Sequence, residues 1–334
     1  MTIRRVAELA GVSIATVSRV VNGRADVSSS TRETVQRVIR ERGYPAGARS
    51  RTTGTGQIGV MVPLIHPGCF ADILAGAAEA LYEQDLRAVL GPTRHSRARE
   101  VSLLGQLADG AADGAIIVAP EESGEEFAAL VVRGFPVVIV DPRTDIADGI
   151  PVVSAAHSAG ATQATRHLLE LGHRRIAAIG GPKGWIATEE RMRGYHAALA
   201  GAGVLPDPAL VQYSDFRIEG GREAAARLLD RPDAPTAIFA FNDGMAVGVL
   251  QAAAARGLRV PADVSVIGFD DTIEAAISVP ALTTVRQPLA ELGRTAVSLL
   301  LRQMENRRLE PLRIELATRL VSRDSTARPG GRTR

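Results

Sequence analysis

A chain of 334 residues exceeds the usual size of one domain, so we expect two or three compact units. Its composition, 46% hydrophobic and 23% charged, excludes a disordered or fibrous protein, and no stretch is apolar over the length of a membrane span. The net charge of +2 conceals an asymmetry: residues 1–57 carry ten arginines and four acidic residues, whereas the remainder carries 29 basic and 33 acidic residues. A basic head of this kind suggests a polyanion as its partner.

Two features bear on the compartment. Cys69 is the only cysteine and cannot form an internal disulfide, which fits a reducing environment. The N-terminal residues 1–5 lead into an amphipathic pattern rather than the apolar core of a secretion signal. We therefore expect a cytoplasmic protein.

The head, residues 1–44, is predicted to form three short helices. Thr2 caps the first helix, Ser13 caps the second, which runs over 14–21, and the third begins at Ser28 or Ser29 and ends near residue 42. A short turn containing glycine joins the first two helices, as in a helix-turn-helix domain. The apolar residues predicted to face inward are Val6, Leu9, Ala10, Val17, Val20, Val21, Val35, Val38 and Ile39.

The second helix is predicted to read DNA, because a helix fits the major groove and its N-terminal residues meet the base edges. Arg19 can bind guanine O6 and N7 with two hydrogen bonds, a contact worth about 1–3 kcal/mol of discrimination. The alternative is that Arg19 is a solvated surface arginine. The predicted DNA-contact residues are Thr2, Ser13, Ile14, Ala15, Thr16, Ser18, Arg19, Asn22 and Arg49.

Residues 45–57 form a linker rich in Gly, Thr and Arg, and the pattern of apolar residues changes after it. Apolar runs of strand length alternate with amphipathic stretches of helix length, which predicts parallel sheets in two doubly wound α/β subdomains. The predicted strands are 58–62, 115–118, 136–140, 175–179, 236–241, 264–269 and 283–286, and the predicted helices are 71–84, 157–171, 189–202, 220–229, 245–256 and 289–303. A basic tail, 323–334, is predicted to be disordered.

Several motifs, in order along the chain, resemble one family. Residues 2–23 closely resemble the head of the LacI/GalR (lactose/galactose repressor) family of bacterial transcriptional regulators, and the segments 170–176, 241–246, 260–271 and 282–288 resemble its ligand-binding body. The resemblance spans about residues 2 to 321. It implies two Rossmann-like lobes of the periplasmic-binding-protein type around a small-molecule cleft, one lobe formed by about 58–155 with 287–312 and the other by 156–286 with 313–322.

The carboxyl ends of parallel strands are where ligands bind in such sheets, and Asp141, Asn242 and Asp270 follow three predicted strands. By resemblance, the effector-contacting positions are Cys69, Phe70, Asp141, Arg191, Phe216, Asn242, Asp270 and Gln287. This set suits a neutral polyol. The alternatives are structural: turn or cap residues for Asp141 and Asp270, helix caps for Asn242 and Asp243, and ordinary core for Phe216 and Cys69.

Other chemical motifs are weak. Residues 180–182, Gly-Gly-Pro, resemble a fragment of a phosphate loop, but no dinucleotide fingerprint or P-loop lysine accompanies them. The six histidines lack metal-site spacing and no serine lies in a Gly-x-Ser-x-Gly elbow, so we predict no cofactor, no metal and no enzymatic activity.

The resemblance implies a dimeric, sequence-specific regulator of transcription that binds a palindromic operator and no membrane. It is expected to be a repressor that a sugar or sugar derivative releases from double-stranded DNA. The alternatives are a regulator that needs a purine-like or phosphorylated corepressor, and a solute-binding protein of a transporter. A C-terminus without leucine heptads favours a dimer over a tetramer.

The linker departs from the family pattern. Relatives have a hinge helix whose leucine wedges into the minor groove at the operator centre. Here the 45–57 segment is several residues short, keeps Ala48 and Arg49, and contains no leucine. We expect weaker central kinking of the operator and a less certain coupling between ligand and DNA.

Overall fold

The computed structural model describes residues 3–21, 27–42, 54–64, 68–121, 124–146, 148–305 and 312–330. The chain divides into two units, residues 1–55 and 56–334. The predicted linker over 45–57 lies largely outside the described residues, as do Thr2, Asn22 and Arg49.

The first unit contains the three predicted helices, α1 (Ile3–Ala10), α2 (Ile14–Val21) and α3 (Ser29–Arg42). Ser13 caps α2, as predicted, because its Oγ accepts a hydrogen bond from the amide of Thr16 over 3.1 Å. The buried core consists of Val6, Ala7, Val17, Val20 and Val35. The inward position predicted for Leu9 is wrong: this residue is 42% exposed, because the buried face of α1 is centred on residues 6, 7 and 10.

The second unit begins with a lobe built on a six-stranded parallel sheet. Its strands are β1 (Gln57–Val62), β2 (Arg87–Pro92), β3 (Gly114–Val118), β4 (Val137–Val140), β5 (Val152–Ala155) and β11 (Arg313–Leu316), in the order β11-β5-β4-β3-β1-β2. Its helices are α4 (Cys69–Tyr82), α5 (Arg97–Gln106), α6 (Gly124–Val132) and α12 (Leu289–Glu305). Every residue of β3 and β4 is buried, which explains their continuous apolar runs.

The other lobe has a four-stranded parallel sheet in the order β7-β6-β8-β9. Its strands are β6 (Ile176–Gly180), β7 (Val211–Tyr213), β8 (Ala237–Ala240) and β9 (Ser265–Ile267), and its helices are α7 (His157–Glu170), α8 (Ile186–Gly201), α9 (Ile218–Leu229), α10 (Asp243–Ala254) and α11 (Ile273–Ile277). Strand β10 (Thr284–Arg286) pairs antiparallel with β12 (Arg319–Val321). The predicted class, a helical N-terminal unit and two doubly wound α/β subdomains, is confirmed.

One boundary prediction is wrong. Residues 313–322 were grouped with the second lobe, but β11 pairs in parallel with β5 of the first sheet and only β12 returns to the second lobe. The chain therefore crosses between the lobes three times, near residues 156, 288 and 318. The sequence could not indicate the third crossing, because β11 is an edge strand whose residues are only partly buried.

The C-terminal segment over 323–330 is ordered, contrary to the predicted disorder; residues 331–334 lie outside the described residues. Ser325 is fully buried, and its Oγ donates to the carbonyl of Val266 over 2.6 Å and accepts from the amide of Thr283 over 2.8 Å. Nε2 of His173 lies 2.9 Å from the carbonyl oxygen of Ala327. Backbone polar groups of the second lobe are thus satisfied by this segment, which explains its order despite its polar composition.

Replacing Ser325 with alanine is expected to lower the free energy of unfolding by about 1–3 kcal/mol, because the amide of Thr283 loses a buried hydrogen-bond partner. Urea unfolding of the full chain measures the change. Ser102→Ala, at an exposed position on α5, is the matched control and is expected to have little effect. Equal stability of the Ser325 variant and the wild type would contradict the structural role of the segment.

Candidate ligand-binding cleft

Residues at the ends of strands in both lobes supply the candidate site. Asp141 follows β4 in the first lobe, whereas Asn242 follows β8 and Asp270 lies just beyond β9 in the second. Asp141, Phe216 and Asp270 all have positive φ angles, of 46°, 65° and 114°, which non-glycine residues rarely adopt. Such strained positions cluster at binding sites, where the surrounding structure holds them in place.

Arg191, from α8, is the central charged group of the cleft. Its side chain is 5% exposed, and one terminal nitrogen donates to the carbonyl of Phe241. The other terminal nitrogen lies 3.5 Å from a carboxylate oxygen of Asp270, and the guanidinium carbon lies 3.9 Å from the ring centre of Phe269. Burial lowers the pKa of Arg191, and the charges of Asp270 and Asp141 oppose that shift.

His157, the first residue of α7, connects the two sides of the cleft and was not predicted as a site residue. Its Nε2 lies 3.1 Å from Oδ1 of Asp141, and its Nδ1 accepts from Arg191 over 3.3 Å. Since arginine is only a donor, this arrangement assigns the neutral tautomer with the proton on Nε2. Burial would raise the pKa of Asp141, but the interactions with His157 and Arg191 outweigh burial and lower it.

Asp270 is held from both sides by predicted site residues. Gln287 donates its Nε2 to Oδ1 of Asp270 over 2.6 Å, and Arg191 approaches the same oxygen. Burial raises the pKa of Asp270 to about 6, although Arg191 and Gln287 act in the opposite direction. The structure thus joins Asp141, Arg191, Asp270 and Gln287 into one polar network through His157.

The helix-cap alternative is confirmed for Asn242 and wrong for Asp243. The side chain of Asn242 caps α10 by accepting from the amide of Met245 over 2.8 Å, and it donates to the carbonyl of Phe216 over 2.9 Å. Asp243 is not a cap, since its carboxylate turns to the amide of Thr272, 2.8 Å away. Burial, together with the charge of Asp270, raises the pKa of Asp243 to about 8.

Two aromatic rings, called the aromatic wall below, lie beside the polar network, with the ring centre of Phe216 6.0 Å from the guanidinium carbon of Arg191. Trp185, which precedes α8, and Phe216 have ring centres 5.8 Å apart. A Cβ at Gly181 would lie 2.0 Å from the ring of Phe216, so only glycine permits this packing. The ring of Phe216 therefore packs directly against the backbone of Gly181, in the Gly-Gly-Pro segment at 180–182. Trp185 was not predicted, and its position immediately before α8 carries no signal of a binding role.

Cys69 and Phe70 begin α4 in the first lobe and differ in their surroundings. Burial, followed by the charges of Asp270 and Asp141, raises the pKa of the Cys69 thiol, which places this residue near the polar network and makes the thiol a poor nucleophile. Phe70 packs partly buried against the core of the first lobe. None of the contacts seen among the described residues joins Phe70 to the network.

The predicted DNA-contact residues are only partly described. Ile14 is 43% exposed, and the hydroxyl oxygens of Ser13 and Thr16 lie 2.8 Å apart at the start of α2. The side chains of Ala15, Ser18 and Arg19 lie outside the described part of the structure, as do Thr2, Asn22 and Arg49. The base contact of Arg19 stays a prediction.

Among the described residues, no three His, Cys, Asp or Glu side chains are grouped so that they could hold a metal ion. No helix in the same part of the chain is both long and apolar enough to span a bilayer.

Comparisons with known proteins identify the family. Residues 2–46 match the model of bacterial regulatory proteins of the lacI family, and residues 165–326 match that of a periplasmic binding protein-like domain. The HTH-type transcriptional regulator CelR of Thermobifida fusca is 36% identical over 97% of this chain and 98% of its own length.

Solved structures agree with the family models. A complex of the regulator CelR with cellobiose has a TM-score of 0.75 and 37% identity, covering 97% of this chain and 99% of that one. The lac repressor dimer bound to operator has a TM-score of 0.73 and 29% identity over 98% of this chain and 99% of that one. This chain therefore belongs to the LacI family of bacterial regulatory proteins, and it is a DNA-binding regulator of transcription rather than an enzyme.

Proposed function

We propose that this regulator is a repressor that binds a palindromic operator as a dimer in the cytoplasm and that a neutral sugar in the cleft releases it. The cleft residues named above supply the ligand contacts, and the helix-turn-helix head supplies the DNA contacts. Binding shifts the equilibrium between two arrangements of the lobes by no more than the difference in the ligand's affinity for them.

The observation that carries the sugar proposal is a pair of unsatisfied polar atoms. Nε of Arg191, a donor, and Oε1 of Gln287, an acceptor, are buried and find no hydrogen-bond partner among the described residues. Buried polar groups in native proteins are nearly always paired, so these two call for a ligand atom or water. A hydroxyl group both donates and accepts, and therefore suits both kinds of atom.

Charge argues for a neutral ligand. The cleft presents the carboxylates of Asp141 and Asp270 and one guanidinium, whose two terminal nitrogens already face partners within the protein. A phosphate here would lie near the carboxylates of Asp141 and Asp270 and near a guanidinium whose hydrogen bonds are already made within the protein. Burying its negative charge would therefore be unfavourable. The aromatic wall of Trp185 and Phe216 offers an apolar surface for the face of a sugar ring. CelR, whose solved complex contains cellobiose, makes cellobiose the first probe to use.

An exposed apolar face on the second lobe supports the proposed dimer. Ile273 and Ile277 of α11 are 59% and 68% exposed, and Val279 just beyond the helix is 91% exposed. Clustered exposed aliphatic residues of this kind mark protein interfaces, and a second copy of the chain is the partner that a palindromic operator requires. The lac repressor is a dimer in its operator complex.

Replacing Asp270 with asparagine is expected to weaken sugar binding at least about tenfold, because the ligand loses a charged acceptor fixed by Gln287. Thermal unfolding against cellobiose, other neutral sugars, sugar phosphates and nucleobases measures the effect, since a ligand at 100 times its Kd adds about 2.7 kcal/mol of stability. Asp230→Asn, at an exposed position, is the matched control. A shift produced by a sugar phosphate or a nucleobase, and by no neutral sugar, would favour the corepressor alternative.

The same assay has a defined pH dependence. The pKa of Asp270 is raised to about 6, so its carboxylate is ionised at neutral pH and becomes protonated as the pH falls through about 6. Sugar affinity of the wild type is expected to fall over that range, whereas that of the asparagine variant stays flat. If sugar affinity depended on pH in the same way in the two proteins, Asp270 would not be a contact residue of the ligand site.

Replacing Arg19 with alanine is expected to cost about 1–3 kcal/mol of operator affinity and to relax specificity at one base position. Binding to a set of operators with single base changes, at fixed salt, separates this from a phosphate contact. Arg37→Ala, on the exposed side of α3, is the control. Equal weakening on every sequence would make Arg19 a phosphate contact.

Replacing Ile277 with lysine is expected to convert the dimer into a monomer and to lower operator affinity by about 10²–10⁴, because the two half-sites are no longer bound by linked heads. Sedimentation and operator titration report the two effects. Leu205→Lys, at a position 91% exposed outside the α11 face, controls for the added charge. A dimeric Ile277 variant would place the interface elsewhere.

A further inference from the structure

Two segments of opposite lobes meet at Arg143 and Trp185. Arg143 lies in the loop after β4, two residues beyond Asp141, and Trp185 directly precedes α8 of the second lobe. The guanidinium carbon of Arg143 lies 4.2 Å from the ring centre of Trp185. The amide of Ile186 also donates to the carbonyl of Arg143 over 2.9 Å, so both the side chain and the main chain of Arg143 contact the second lobe.

The first lobe holds the guanidinium of Arg143 in one orientation. One terminal nitrogen donates to the carboxylate of Glu121, and the other donates to Nδ1 of His95 over 2.7 Å. These partners lie beyond β3 and β2, so the loops after three strands converge on one side chain, which is 5% exposed. Burial lowers the pKa of Arg143 to about 10, which leaves it cationic at neutral pH.

The second lobe holds Trp185 from the other side. Its ring contacts Phe216, whose own ring is seated on Gly181 and lies 6.0 Å from the guanidinium of Arg191. Trp185 therefore lies between the guanidinium of Arg143 from the first lobe and the ring of Phe216 from the second. A cation over an indole ring is worth most when it is shielded from water, which is the case for Arg143.

We propose that Arg143 is a positioning residue of the effector site: by binding Trp185 across the two lobes, it keeps the aromatic wall assembled and favours the closed cleft. This rests on the proposed function, because the wall is where we place the sugar ring. Arg143 need not touch the ligand; it acts through Trp185. Closure that depends on this contact links ligand affinity to the relative position of the lobes.

The sequence offers a direct reporter, because Trp185 is the only tryptophan. When the full chain is excited at a wavelength that its four tyrosines do not absorb, its fluorescence therefore reports on this ring alone. In Arg143→Leu, acrylamide is expected to quench Trp185 at least about twofold more strongly than in the wild type, and the Kd for cellobiose, used as the probe, is expected to rise about 3- to 30-fold. Arg143→Lys keeps a cation over the ring and is expected to fall between the two.

The matched control is Arg133→Leu, which removes a half-exposed arginine of the same lobe that pairs with Asp109. It is expected to change neither quenching nor affinity. If Arg143→Leu does not fold, Glu121→Gln serves in its place. This change weakens the ion pair that orients the guanidinium of Arg143, while the cation and both rings stay intact. That variant is expected to shift both readouts in the same direction by a smaller amount.

A general loss of stability does not produce this pattern, because it would not be rescued by lysine or confined to the environment of Trp185. Quenching of Arg143→Leu equal to that of the wild type would overturn the proposal, as would stronger quenching with unchanged cellobiose affinity. If cellobiose binds neither protein, that result counts against the proposed ligand, while quenching of the ligand-free protein still decides whether Arg143 holds Trp185.

Discussion

The buried positive charge of Arg191 is the constraint around which the cleft is organised. A guanidinium removed from water is stable only if carboxylates, carbonyls or aromatic faces replace the solvent. In the second lobe, Asp270, the carbonyl of Phe241 and the face of Phe269 replace the solvent around Arg191. His157 contacts both Arg191 and Asp141, which belongs to the first lobe. The electrostatic balance of the ligand site therefore depends on both lobes at once.

The turn that presents Asp270 is stabilised by groups that need not contact a ligand. Asp270 and Asp271 both have positive φ angles, so the turn needs support from its surroundings. Asp243 accepts from the amide of Thr272 directly after the turn, and Arg323 of the C-terminal segment donates to Asp271 over 2.6 Å. This segment, predicted to be disordered, is thus connected to the site through the residue next to Asp270.

Much of the fold was predictable, and the failures fall on elements without a strong local pattern. The seven predicted strands all exist because strands buried on both faces are apolar throughout. Five strands were missed. β2, β7, β11 and β12 are partly exposed and lack continuous apolar runs. β5 lies inside the first sheet, but it has only four residues and just two of them are large and apolar. The polar tail was misread because its hydrogen bonds go to backbone groups of β9 and the turn after α11, which no local pattern reveals.

The candidate site, like the fold, was only partly predictable from the sequence. By itself, the sequence determined the family, the two kinds of domain and the residues that end the buried strands, because apolar periodicity and short motifs are local properties. The tertiary structure alone decided that His157 joins Asp141 to Arg191, that Asn242 and not Asp243 caps α10, and that Arg143 meets Trp185. Each of these contacts except the helix cap joins residues from separate elements, in most cases from different lobes. Their partners are set by how the two sheets pack and how the chain crosses between them, which no single stretch of sequence encodes.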